Sequence, residues 1–120
     1  MVDPKTVFIS YRRTPSKWLA RLIFHELSAS GYDVFLDVES IGPGRYADII
    51  LHQIVARAHF ILILERGCLE RCADPADWLR REIEQALDTQ RNIIPLMVER
   101  FSFDEEKQFL RSWAYDKTVR

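Results

Sequence analysis

Trp78 and Glu82 lie four residues apart in a segment with the periodicity of an α-helix. With Leu79 at the centre of its apolar face, Glu82 falls about 60° to one side, on the same flank as Trp78. A half-buried carboxylate one turn from an aromatic plane is a candidate functional group. On spacing alone the alternative is stronger, namely a boundary glutamate that pairs with a nearby arginine. The arginines considered as its partners are Arg12, Arg80 and Arg81.

A second group of polar residues follows the first strand-like segment. Ser10 and Tyr11 lead into Arg12 and Arg13, with Lys17 close behind. Two arginines between a buried strand and a helix N-terminus can bind an anion such as a pyrophosphate. The alternative is that they are solvated or pair with acidic residues near the second strand. Those acidic residues are Asp37 and Glu39.

Several other chemistries lack the residues they need. The four glycines form no nucleotide-binding glycine motif, and the helical histidines have no partners spaced for a hydrolase triad. Cys68 and Cys72 have no further Cys or His cluster to complete a metal site, so we interpret them as reduced structural thiols. A phosphoacceptor receiver domain would need acidic residues after the first strand, where this chain has Tyr11, Arg12 and Arg13.

Composition indicates one globular domain. The chain has 120 residues, of which 48% are hydrophobic and 29% charged, with a formal net charge of −1. A charge so near zero gives no field that would attract nucleic acid or an anionic membrane. The N-terminus lacks the pattern of a signal peptide, and the longest apolar run (60–64) is too short to span a bilayer. We therefore expect a cytoplasmic protein.

Strand-like and helix-like segments alternate along the chain. The strands are expected near 7–11, 33–37, 59–64 and 92–98, the last near a sheet edge because it contains Pro95. The first helix is expected to begin at Thr14-Pro15 and to end at Ser30-Gly31. The second is expected to end near residue 58, and the third to run from Asp74-Pro75 to about residue 90. This alternation predicts an α/β fold, a doubly wound parallel sheet with helices on both faces. Ligands bind such sheets outside the carboxyl ends of the strands.

The connection at 38–46 is expected at this same edge. It has about nine residues, whereas such connections usually have about 2–6. It contains Gly42, Pro43 and Gly44, which exclude a helix or strand interior. A lid or a partner-contact loop explains this length better than a passive connector.

Taken in order, the motifs resemble those of the TIR (Toll/interleukin-1 receptor) domain family. They are VFISYRR at 7–13, DVFLD at 33–37 with Gly44-Arg45-Tyr46, FILIL at 60–64 with Cys68-Leu69, DWLRREI at 77–83 and NIIPL at 92–96. The match covers about residues 6–98. It implies a single TIR domain over residues 1–120, with a flavodoxin-like sheet of four to five strands. The family's final strand and helix are expected to be missing, which would leave a sheet edge open.

Trp78 and Glu82 also reproduce the W-x-x-x-E pair of the family's NAD+-cleaving branch. The resemblance implies an NAD+ nucleosidase of prokaryotic type, which releases nicotinamide and ADP-ribose or cyclic ADP-ribose. Glu82 would be catalytic and stabilise positive charge as nicotinamide leaves. The implied substrate contacts are Ser10, Tyr11, Arg12, Arg13, Asp37, Tyr46 and Trp78. NAD+ is the substrate, and no cofactor or metal is implied.

Self-association is the implied switch. In family enzymes the BB loop, which follows the second strand, becomes ordered when it contacts a neighbouring copy. The corresponding residues here are Glu39, Ser40, Ile41, Gly42, Pro43, Gly44 and Arg45. The resemblance further implies other TIR domains as partners, a sensor domain in the full protein, and a role in bacterial antiphage defence or signalling. The alternatives are a non-enzymatic TIR–TIR assembly module and an N-glycosidase that acts on nucleosides or free nucleotides.

Overall fold

A computed structural model describes residues 2–36, 47–98 and 100–106, with the backbone alone at residues 13–15. Strands and helices alternate along the described chain. In order they are β1 (Thr6–Ser10), α1 (Arg13–Ala29), β2 (Asp33–Leu36), α2 (Ala47–Val55), β3 (His59–Leu64), α3 (Trp78–Asp88) and β4 (Asn92–Met97), with a short 3-10 turn at Glu70–Ala73 before α3.

The four strands form one parallel sheet in the order β2-β1-β3-β4. The chain therefore winds outward from β1 in one direction and then, through β3, in the other. The switch point of the sheet lies between β1 and β3, where ligands of doubly wound sheets bind at the carboxyl ends. The predicted α/β fold is confirmed.

Two apolar layers hold the sheet, one on each face. Successive residues of β1 and β3 point to opposite faces, so both strands are apolar throughout rather than alternating. One layer packs beneath α2 and α3 and includes Phe8, Phe60, Leu64, Ile54, Leu79 and Ile83. The other packs beneath α1 and includes Val7, Ile9, Ala20, Ile61 and Ile63. The rings of Phe35, Phe8 and Phe60 stack in series across three strands, with centroids 5.3 and 5.6 Å apart.

Helix ends differ from the prediction at three places. α1 begins at Arg13, so Pro15 lies inside the first turn, where a helix needs no backbone N–H. α2 ends at Val55, three residues before the predicted end. α3 begins at Trp78, and Asp77 rather than Asp74 caps it by accepting a hydrogen bond from the Arg80 amide.

Other local predictions are confirmed. α1 ends at Ala29, with Ser30 as its C-cap and Gly31 next, at a φ of +90°. Pro95 lies in β4, the edge strand of the described sheet. Within the described residues, no helix is long and apolar enough to cross a bilayer.

Candidate functional site

Glu82 lies in the second turn of α3, directly over the end of β1. Its Oε1 accepts a hydrogen bond of 2.8 Å from Ser10 Oγ, although the two residues are 72 positions apart. Ser10 is the last residue of β1 and shares the α3-side face of the sheet with Phe8. The carboxylate therefore lies at the switch point, at the edge where ligands bind.

Burial of this carboxylate exceeds the sequence prediction. Glu82 is 5% exposed and Ser10 is 1% exposed, where the helical wheel predicted a half-buried margin position. A wheel gives the angle of a side chain about the helix axis but does not show what lies beneath it. Here the end of β1 lies beneath the flank of α3, so that flank is covered as well as the apolar face.

The arginines considered as partners of Glu82 have other contacts. Arg12 pairs with Asp77. Arg80 pairs with Glu84, with 3.3 Å between Nε and Oε2. Arg81 lies over the Trp78 ring, 5.0 Å from its centroid.

Arg12 is buried and makes charge-assisted hydrogen bonds within the protein. Its Nη1 and Nη2 donate to the two carboxylate oxygens of Asp77 at 2.8 and 3.1 Å. Its Nε and Nη2 also donate to the Cys68 carbonyl oxygen at 3.1 and 2.7 Å. Burial alone would raise the pKa of Asp77, but the hydrogen bonds and charge of Arg12 outweigh it and hold that pKa below its usual value.

Trp78 is the first residue of α3 and is half-buried. Its indole Nε1–H is buried and has no hydrogen-bond partner in the part of the chain that the structure describes. Because Arg81 lies over its ring, the predicted stacking plane already contacts a cation within the protein. Its role as a substrate contact stays a prediction.

The remaining predicted site residues are not all brought to Glu82. Tyr11 packs against the layer beneath α1, on the other face of the sheet, so its substrate role stays a prediction. The side chain of Arg13 lies outside the description, as do residues 37–46. The latter include the predicted substrate contacts Asp37 and Tyr46 and the predicted self-association residues Glu39, Ser40, Ile41, Gly42, Pro43, Gly44 and Arg45.

Both cysteines lie free and buried next to the Arg12–Asp77 pair. Burial raises the pKa of Cys68 to about 11 and that of Cys72 to about 12. Cys72 Sγ lies 3.4 Å from Asp77 Oδ2 and can donate to it. Both residues are therefore neutral thiols at ordinary pH, as the structural interpretation requires.

A family model described as the TIR domain matches residues 7–118. The chain belongs to the TIR domain family. Its resemblance to that family is thereby confirmed.

Three animal proteins resemble this TIR domain over most of its length. "NAD(+) hydrolase sarm1" of Drosophila melanogaster is 38% identical over 121 residues, covering 96% of this chain. "NAD(+) hydrolase tir-1" of Caenorhabditis elegans and "NAD(+) hydrolase SARM1" of Danio rerio are each 40% identical, covering 81% and 75% of it. The chain spans only 9–13% of the length of these curated relatives.

Two acidic residues near the site of the TIR domain were missed by sequence reasoning. Asp77 falls in the DWLRREI motif at 77–83, but no tertiary partner was predicted for it, and it pairs with Arg12. A signal was available, because Asp77 directly precedes the W-x-x-x-E pair and reaches the same sheet edge. Glu106 is buried and accepts a hydrogen bond of 3.3 Å from the Leu69 amide. It follows the last recognised motif, and no local pattern singled it out.

Proposed function

We propose that this TIR domain cleaves NAD+ at the bond between nicotinamide and ribose. The observation that carries the proposal is the buried Glu82 carboxylate, oriented by Ser10 at the switch point of the sheet. The names of the animal relatives support it, since each is an NAD(+) hydrolase that matches three quarters or more of this chain. The products are nicotinamide and ADP-ribose or its cyclic form.

The chemistry requires a negative group near the ribose. When the C1′–N bond breaks, its electron pair leaves with nicotinamide and positive charge develops on the ribose carbon. A carboxylate held beside that carbon stabilises the charge, and it does so more strongly in a site from which water is excluded. Water then adds to C1′ and loses a proton to give ADP-ribose. Attack by the adenine ring would instead give the cyclic product.

Ser10 and the surrounding elements supply positioning in this mechanism. The Ser10 hydroxyl orients Glu82 Oε1, and the carboxylate lies on a helix rather than a loop, so it needs little reorganisation. Trp78, Tyr11, Arg13, Asp37 and Tyr46 are proposed substrate contacts. The reaction uses no cofactor, because the substrate itself carries the leaving group.

Nicotinamide release from NAD+ by concentrated or artificially clustered protein tests the proposal. We expect Glu82→Gln and Glu82→Ala to reduce the rate at least hundredfold, because the developing charge loses its counter-charge. Glu84→Gln is the matched control, since it neutralises a carboxylate two residues away on α3 that pairs with Arg80. Equal rates in wild type and Glu82→Ala would exclude the enzyme assignment.

Self-association is the proposed means of activation, on the strength of the family resemblance. The outer face of α1 supports it, since Trp18 and Leu22 lie one turn apart and are 70% and 57% exposed. The rate of nicotinamide release per molecule should then rise with protein concentration. Assembly without release would favour the alternative, a TIR–TIR adaptor. We further propose a cytoplasmic protein of prokaryotic type, in which a sensor domain controls this effector in antiphage defence or signalling.

A further inference from the structure

Arg12, Asp77 and the Cys68 carbonyl form a buried cluster, here called the Arg12 clasp. The side chains of Arg12 and Asp77 are 10% and 6% exposed. The pairing is bidentate, and the same guanidinium also donates twice to the Cys68 carbonyl. A planar guanidinium is suited to this arrangement because its N–H groups have a fixed geometry.

The clasp joins the same two elements that carry Ser10 and Glu82. Arg12 lies two residues after Ser10, at the end of β1. Asp77 is the N-cap of α3, and Glu82 follows it by five residues, or roughly one and a half helical turns. Fixing the cap therefore fixes both the height and the rotation of the helix at Glu82.

Little of the Arg12 guanidinium remains for a ligand. Arginine has five N–H groups. The hydrogen bonds use one on Nε, one on Nη1 and two on Nη2, which together make four. An anion would have to compete with Asp77 and the Cys68 carbonyl for a buried group.

We propose that Arg12 and Asp77 are positioning residues that hold Glu82 over the end of β1. Arg12 then stabilises the start of α3 instead of binding the substrate. The effect on catalysis rests on the proposed NAD+ cleavage, whereas the positioning itself does not.

Asp77→Asn and Arg12→Lys test this role with little change in shape. Asparagine remains a good N-cap, so Asp77→Asn removes mainly the charge of the pair. Lysine keeps the positive charge but lacks the planar set of N–H groups that pairs with both carboxylate oxygens of Asp77. We expect kcat for NAD+ to fall at least tenfold in each variant, with KM unchanged within about twofold. The double variant should be no worse than the more impaired single variant, because the two residues act as a unit.

Asp33→Asn is the matched control. It makes the same substitution in another arginine–aspartate pair, Arg57–Asp33 at 3.2 Å, where β2 begins and far from the site. Its kcat should match that of wild type. A rise in KM with kcat retained in Arg12→Lys, or additive losses in the double variant, would assign Arg12 to the substrate and overturn the proposal.

Amide hydrogen exchange measures the positioning without any assay of activity. We expect the amides of residues 78–82 to exchange at least tenfold faster in Asp77→Asn and Arg12→Lys, while the last turn of α3 is unchanged. Unchanged exchange at 78–82 in both variants overturns the proposal. If wild type releases no nicotinamide but exchange responds as expected, NAD+ cleavage fails and the clasp stands.

Discussion

At the residue scale, the position of the Glu82 carboxylate depends on a hydrogen bond from another element of the fold. Ser10 Oγ lies 2.8 Å from Glu82 Oε1, and both side chains are nearly free of solvent. A buried carboxylate that loses such a donor keeps its desolvation cost without the compensating bond. Ser10 is therefore as much a part of the site as the carboxylate itself.

Ser10→Ala should impair the proposed cleavage of NAD+ while preserving the fold. A hydrogen bond to a charged group contributes about 1.5–3 kcal/mol, which corresponds to a roughly 10–100-fold loss in kcat if it is made in the transition state. Steady-state nicotinamide release measures this loss. Ser30→Ala removes an exposed serine hydroxyl bonded to the Glu26 carbonyl and serves as the control. Wild-type kcat in a folded Ser10→Ala variant would contradict the role given to Ser10.

The candidate carboxylate could be found from sequence, but its partner could not. The family's W-x-x-x-E pattern singled out Trp78 and Glu82, and the expected sheet edge placed them near the end of β1. The Ser10–Glu82 bond joins residues 72 positions apart, and no local periodicity encodes such a contact. The Arg12–Asp77 pair has the same character across 65 positions.

At the element scale, the start of α3 was harder to predict from sequence than the end of α1. Asp74-Pro75 and Asp77 are both typical of a helix start, and the start of α3 was predicted at the earlier of the two. The structure uses Asp77, whose carboxylate binds both the Arg80 amide and Arg12. A tertiary ion pair therefore decides between two local signals.

The C-terminal end of α1 was predicted because its signal is conformational. Gly31 has a φ of +90°, and among the described residues a Cβ there would meet only Lys5 Nζ at 3.9 Å, an ordinary contact. Gly31→Ala should therefore lower the free energy of unfolding by about 1–2 kcal/mol through backbone strain alone. Urea unfolding measures the change, and Ser28→Ala in the last turn of α1 is the control. A loss of less than about 0.3 kcal/mol would contradict the assignment of strain.

At the scale of the whole molecule, alternation of elements was enough to predict the class of fold. The continuous apolar run of β3 is typical of a strand covered on both faces, and its residues do contribute to both apolar layers. The order of strands followed from the family resemblance rather than from pattern, because periodicity does not specify which strands are neighbours.

The two buried thiols predict how stability varies at high pH. Burial raises the pKa of Cys68 and Cys72 to about 11 and 12, so the folded state disfavours the thiolates. The stability that the two buried neutral thiols contribute is fully present below the unfolded thiol pKa of about 8.5, and it is lost as the pH rises towards 11–12. The pKa of Asp77 is lowered in the folded protein, so its carboxylate stabilises the fold when it is ionised. This contribution to the free energy of unfolding is lost in acid, as the pH falls through the pKa of Asp77 in the folded state.

Urea unfolding at pH 7.5, 9.5 and 10.5 measures the thiol contribution. The free energy of unfolding should fall as the pH rises across this range. In the double variant Cys68→Ala/Cys72→Ala it should fall less with pH, even if its value at pH 7.5 is lower than that of wild type. Rapid labelling of either thiol in the folded protein at pH 7.5 would contradict their assignment as buried and neutral.

The topology of the parallel sheet determines when the site forms during folding. The Ser10–Glu82 hydrogen bond and the contacts of Arg12 with Cys68 and Asp77 join the first dozen residues to residues 68–82, which gives the site a high contact order. Non-local contacts of this kind form late, after the intervening chain has collapsed onto its neighbours. On the ribosome, β1 emerges first but must wait until α3 has been synthesised and β3 has been placed beside it. A nascent or partly unfolded chain therefore lacks the assembled site, and only the completed sheet can present its carboxylate to a ligand.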